Sequence, residues 1–131
     1  MNGDYAFDIT TSLMYGPKAA GVWPAGVSIK GTSYPVGTNR TITVSVNAVL
    51  ADVNALITAN SASPVVITIT DDTTVAWSSN SFLSAYQAGA GGVSFAAGAG
   101  VTLRAPSGIQ PSVQYGTVGA SRVAANEWAL I

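Results

Sequence analysis

Apolar and polar residues alternate in short runs along most of the chain, which is the period of an extended strand whose side chains point to opposite faces. The clearest run is Pro64 to Thr70, where Val65, Ile67 and Ile69 share one face, and Thr41 to Val46 repeats the pattern with Ile42, Val44 and Val46. Tyr5 and Phe7 alternate with Ala6 and Asp8, Thr10-Thr11-Ser12 turns the chain, and Leu13-Met14-Tyr15 returns, so Asp4 to Tyr15 reads as a hairpin. Further strands are predicted at Val27–Lys30, Val75–Trp77, Leu83–Gln87, Gly92–Ala96, Val101–Ala105, Gln114–Val118, Ser121–Ala124 and Glu127–Ile131, each bounded by Gly, Pro, Asn or Ser. Only Val46, Val49, Leu50, Val53, Leu56 and Ile57 fit a helical stripe, and nearby Thr and Asn reduce that expectation to one helical turn near Ala48 to Val53. Many short strands with little helix predict an all-β chain: a small antiparallel β-sandwich or barrel over residues 37–131, preceded by an N-terminal β-hairpin segment over residues 1–36.

The stretch QAGAGGVSFAAGAGV, residues 87–101, has the glycine content of a phosphate loop. Phosphate loops also need a helix N-terminus and usually a lysine, and no lysine follows Gly91 or Gly100. Val93 and Phe95 alternate with Ser94, and Val101 and Leu103 with Thr102, so the stretch reads as a scaffold hairpin. Its small residues let strands or subunits approach closely, and Gln87 supplies an amide for backbone groups at the approach.

Composition sharpens this picture. Of 131 residues, 48% are hydrophobic and only 8% charged, against roughly 25% charged in ordinary globular proteins. A surface built from Ser, Thr, Asn and Gly is poorly protected against association, which predicts assembly into something larger. A net charge of −1 with five scattered basic residues gives no footprint for nucleic acid. No apolar run reaches the ~18 residues of a membrane span, and MNGDYAFD lacks the form of a signal peptide, so the expectation is a soluble chain with no membrane insertion and no export address. Cysteine and histidine are absent, which removes thiolate nucleophiles, imidazole bases and the usual zinc and haem ligands. No cofactor or metal is expected. Asp71 and Asp72 lie side by side and read as turn caps, not as a catalytic acid pair.

Two stretches carry a resemblance. Gly3, Asp4, Tyr5, Asp8, Tyr15, Gly16, Pro17, Lys18, Gly21 and Trp23, within residues 2–31, resemble a segment of bacteriophage tail-fibre and related virion fibre proteins. Leu50-Ala51-Asp52, Ser61-Ala62-Ser63, Gln87-Ala88-Gly89-Ala90-Gly91, Gly98-Ala99-Gly100-Val101-Thr102-Leu103, Tyr115 and Asn126-Glu127-Trp128 resemble a β domain recurring in phage structural proteins. The resemblance implies a non-enzymatic virion structural protein: a subunit of a fibre, spike or capsid decoration, located in the virion after synthesis in the host bacterial cytoplasm. It further implies a homotrimer in contact with other virion proteins and adhesion to a host surface glycan.

Exposed aromatic rings suit the apolar C–H faces of sugars, so Tyr34, Phe82, Tyr86 and Tyr115, near loops or strand ends, are the binding candidates. Core packing or a subunit interface is the competing reading for each of them, and Trp23, Trp77 and Trp128 look still more like core. Asp4, Asp8, Asp71 and Asp72 could in principle hold calcium, but they lack the alternate spacing of a calcium loop. The alternative function is a carbohydrate-binding module. A glycan depolymerase is weaker, because carboxylates at suitable separations are scarce.

Overall fold

A computed structural model describes residues 1–30, 37–105 and 113–131. The chain divides into two compact units, Met1–Tyr34 and Pro35–Ile131. It is mostly strand, with a single 3-10 turn as its helix among the described residues.

The first unit is a three-stranded antiparallel sheet, β1 (Ala6–Asp8), β2 (Leu13–Tyr15) and β3 (Val27–Ser28), in that order. Its first turn is set by Asp8, whose Oδ1 accepts hydrogen bonds from the Thr10 and Thr11 amides at 2.9 and 3.2 Å, while Oδ2 accepts from the Thr11 hydroxyl at 2.6 Å. An Asp side chain that satisfies the amides ahead of it closes the turn without further help. The expected hairpin is therefore present.

The second unit is wound differently from the antiparallel expectation. Its strands are β4 (Arg40–Ile42), β5 (Val46–Asn47), β6 (Leu56–Ala59), β7 (Val65–Ile69), β8 (Phe82–Gln87), β9 (Val93–Ala97), β10 (Thr102–Arg104), β11 (Thr117–Ala124) and β12 (Glu127–Leu130), with the 3-10 turn at Leu50–Asp52. Strands β4, β6 and β8 pair in parallel in one sheet, and β5, β7 and β9 pair in parallel in another. The chain thus steps from sheet to sheet in three stacked windings, the topology of a short β-solenoid. Antiparallel pairing returns where β11 joins β8 and β12, and β12 pairs in parallel with β10, giving the order β10-β12-β11-β8-β6-β4.

Several expectations change with this topology. Thr41 to Val46 is two strands in different sheets, with the corner at residues 43–45 held by the Ser45 hydroxyl, which accepts from the Val66 amide at 2.9 Å. QAGAGGVSFAAGAGV is no hairpin, because the two strands it would join, β9 and β10, belong to different sheets, as do β8 and β9. Alternation records which side faces the core and not which strand lies alongside, so it cannot separate a hairpin from a corner. Leu56–Ala59, half hidden in the helical stripe, is a strand, Val75–Trp77 is not, and the two predicted strands near the C-terminus merge into β11. The helical turn is present at Leu50–Asp52.

The two sheets bury their inward residues in one core. Ile57, Ile67, Ile69, Leu83, Val93 and Trp128 are completely or almost completely buried in it. Burying a side chain of this size stabilises by ~1.5–3 kcal/mol. Trp77 and Trp128 meet edge to face with centroids 5.3 Å apart, and the Trp77 indole donates to the Thr70 carbonyl at 2.8 Å. Trp23 does not belong to a core: it is 40% exposed, with the Lys18 ammonium 5.3 Å from its ring centre.

The glycines of residues 89–91 serve the stacking. A Cβ on Gly89 would stand 2.1 Å from the Ser61 carbonyl oxygen, and one on Gly91 would stand 2.1 Å from that of Ser63. The β8–β9 corner therefore rests backbone to backbone on the β6–β7 corner, at a distance only glycine permits. Gln87, 4% exposed, turns its amide into this corner and donates to the Gly89 carbonyl at 3.3 Å.

Candidate functional site

Strand β8 faces Leu83, Ala85 and Gln87 inward and Phe82, Ser84 and Tyr86 outward. Tyr86 is directly opposite Thr58 of β6 and Thr117 of β11, and Thr58 is opposite Thr41 of β4. Paired residues share a face, so Thr41, Thr58, Tyr86 and Thr117 form one outward row crossing four strands, ~15 Å long at the spacing of a sheet.

Tyr115 reaches this row from the segment before β11. Its amide donates to the Gln87 carbonyl at 2.7 Å, and the Gln87 amide donates to the Gly116 carbonyl at 2.9 Å. The Gln114 side chain adds a hydrogen bond to the Ala88 carbonyl at 2.7 Å. So fixed, Tyr115 lies over Tyr86, with ring centres 6.5 Å apart and planes 30° from parallel. Tyr115 remains 67% exposed and has φ +72°, a backbone conformation that a bulky residue holds at a cost of ~1–3 kcal/mol. A strained, exposed aromatic beside a row of hydroxyls is a surface on which a flat, polyhydroxylated molecule can lie.

The structure thus brings two of the four candidate residues together. Phe82 shares the outward face with Tyr86 but lies four positions along the strand, ~13 Å away. Its ring covers Gly119, where a Cβ would come within 2.8 Å of it. Tyr34 lies outside the described residues.

No protein family, curated protein or solved structure matches this chain.

The six acidic side chains are all engaged. Asp52, wholly buried, receives Arg40 Nε at 2.7 Å and Nη2 at 2.8 Å, and its Oδ2 also accepts from the Val49 amide. This bidentate pair ties β4 to the 3-10 turn, and residues twelve apart give no sequence signal for it. Asp72 takes Arg122 at 2.5 Å and the Asn126 amide at 3.2 Å, joining the end of β7 to the β11–β12 hairpin. Asp71 caps its own turn through the Thr73 hydroxyl and the Thr73 and Thr74 amides. Glu127 pairs with Arg104, Asp4 with the N-terminal ammonium, and Asp8 with its turn.

Hydrogen bonds from Thr11 hold the Asp8 carboxyl below its ordinary range, and those from Thr73 and Thr74 do the same for Asp71. Among the described residues no three acidic side chains come close enough to hold a metal ion. The chemistry on display is hydroxyl, amide and aromatic.

Proposed function

We propose that this chain is a non-enzymatic bacteriophage virion structural protein, a self-associating subunit of a fibre, spike or capsid decoration. The reading rests first on the resemblance of residues 2–31 to virion fibre segments. The observation in the fold that supports it is the parallel winding, in which β6 and β7 of the middle coil are bonded to the coils before and after them, an arrangement suited to load along a shaft. The scarcity of charge fits a surface meant to be covered by other subunits. Homotrimeric assembly, contact with other virion proteins and adhesion to a host glycan belong to the same reading. Two measurements test it: light scattering on the purified chain, expected to give the mass of a trimer, and mass spectrometry of purified virions from a producing host, expected to contain the chain. Virions that lack it sink the reading.

The second reading, a carbohydrate-binding module, is favoured by one observation, the stacked Tyr86–Tyr115 pair beside Thr58 and Thr117. Under it, isolated protein binds host polysaccharide saturably, and Tyr115→Ala or Tyr86→Ala weakens binding about tenfold, a loss of ~1.4 kcal/mol. Titration calorimetry with unaltered affinity in both variants excludes this pair as a sugar platform.

A further inference from the structure

The first unit is a folded sheet with nothing inside it. Not one of residues 1–30 is buried, although the segment is rich in large apolar side chains. The register shows where they stand. Phe7 is opposite Met14, and Met14 is opposite Val27, so the three form a cross-strand row on one face. Tyr5, two positions before Phe7, lies over Gly16 on the same face, and Ile29, two positions after Val27, continues it. Tyr5, Phe7, Val27 and Ile29 are 57%, 63%, 63% and 51% exposed, and Ile9 in the adjoining turn is 91% exposed.

Tyr5, Phe7, Val27 and Ile29 present on the order of 400 Å² of apolar surface, within the range of the largest patch on an ordinary monomer. That is about half of the ~800 Å² that each partner contributes to a stable interface, the apolar centre of one. A sheet of three strands, each two or three residues long, does not hold itself in water without a surface to pack on.

The face itself indicates the occupant. Three of the unit's four charged side chains are engaged away from the row: Asp4 pairs with the N-terminus, Asp8 closes a turn and Lys18 covers Trp23, while the fourth, Lys30, follows Ile29 and is not a member of the row. The row is electrically neutral, so copies of the same face can gather about a shared axis, three in a trimer, without opposing like charges. Among the described residues of the second unit the large exposed apolar side chains fall on separate segments, as at Val44, Val123 and Ile131. A second copy of the chain offers the same row.

We infer that the Tyr5–Phe7–Met14–Val27 face of the first unit is the surface through which copies of this chain associate. The inference deepens the self-associating subunit reading and rests on it.

The test exploits the absence of cysteine. In the full-length chain a single introduced cysteine can form a disulfide only with another copy. Phe7→Cys, Met14→Cys and Val27→Cys, separately and in pairwise mixtures, are oxidised at dilute concentration and run on a non-reducing gel beside Val123→Cys, an exposed position of the second unit. The expected result is linked dimers from at least one first-unit variant or mixture and at least tenfold less from Val123→Cys. Light scattering on Phe7→Glu should also show a smaller mass than the wild type, while the second unit's unfolding transition stays in place. A wild type that associates, with no first-unit cross-link and a Phe7→Glu mass unchanged, overturns the face and leaves the subunit reading standing. A wild type that is monomeric throughout overturns the face and self-association together. Cross-linking through the face in a chain absent from purified virions sustains the inference and overturns the virion reading.

Discussion

A Cβ at Gly91 would sit 2.1 Å from the Ser63 carbonyl oxygen and 2.9 Å from the Pro64 nitrogen, whereas one at Gly92 meets nothing within 4 Å. The obstacle at Gly91 is backbone on both counts, so relief requires moving one stacked corner away from another. Gly91→Ala is therefore expected to cost ~1–3 kcal/mol, the scale of overpacking a well-filled site. Gly92→Ala is expected to be neutral or stabilising by up to ~1 kcal/mol, because it narrows the unfolded ensemble without a clash. Urea unfolding of both variants decides it: equal midpoints would mean that the corners are not in contact. Gly91 and Gly92 are indistinguishable as letters in a glycine-rich run, and what separates them is a stretch of chain nearly thirty residues earlier. The aromatic pair shows the same limit. Alternation along residues 82–87 places Tyr86 outward, but that Tyr115 folds back over it depends on the Tyr115–Gln87 backbone bond, which no local pattern announces.

At the level of elements, short-range chemistry is legible in the sequence and long-range pairing is not. The Asp8 and Asp71 turns, the buried face of Val65, Ile67 and Ile69 and the hairpin of the first unit all depend on residues within a few positions of one another. Parallel pairing sets Leu56 beside Ser84 and Val65 beside Val93, and each such match spans a whole winding. Strand β6 carries no strand signal of its own in the sequence, because Leu56 and Ile57 also complete a helical spacing that begins at Val46. The turns that were legible have a pH consequence. Asp71's carboxyl is held below its ordinary 3.8 by hydrogen bonds that favour the charged form. A lowered folded pKa stabilises above the unfolded value and is lost as pH falls through the folded one. Asp71→Ala should therefore be less stable than wild type near neutral pH, with the difference shrinking below about pH 4 as the wild-type carboxyl takes up its proton. Denaturant midpoints at about pH 6 and about pH 2.5 measure this; a gap that is constant or grows in acid would show that the charge contributes nothing to the turn.

Across the whole molecule, burial is distributed unevenly. Every buried hydrophobic residue described lies between Ile42 and Leu130, in the second unit, and none lies in residues 1–30. The core that contains Ile57, Ile67 and Trp128 is built from side chains of that unit, with the Arg40–Asp52 pair at its first winding and the Asp72–Arg122 pair tying its final hairpin. A fragment of residues 35–131 is accordingly expected to unfold cooperatively at the midpoint shown by the second unit in the full chain, independent of concentration. A peptide of residues 1–34 has only a surface sheet, so it is expected to be unstructured when dilute and to gain strand signal as concentration rises, because association supplies the burial it lacks. Circular dichroism over a hundredfold range of peptide concentration, set beside urea unfolding of the fragment, tests both halves. A fragment that loses its transition would place part of the second unit's stability in the first thirty residues. A peptide already structured when dilute would mean that the short sheet holds itself, and that its exposed face is not what it needs to fold.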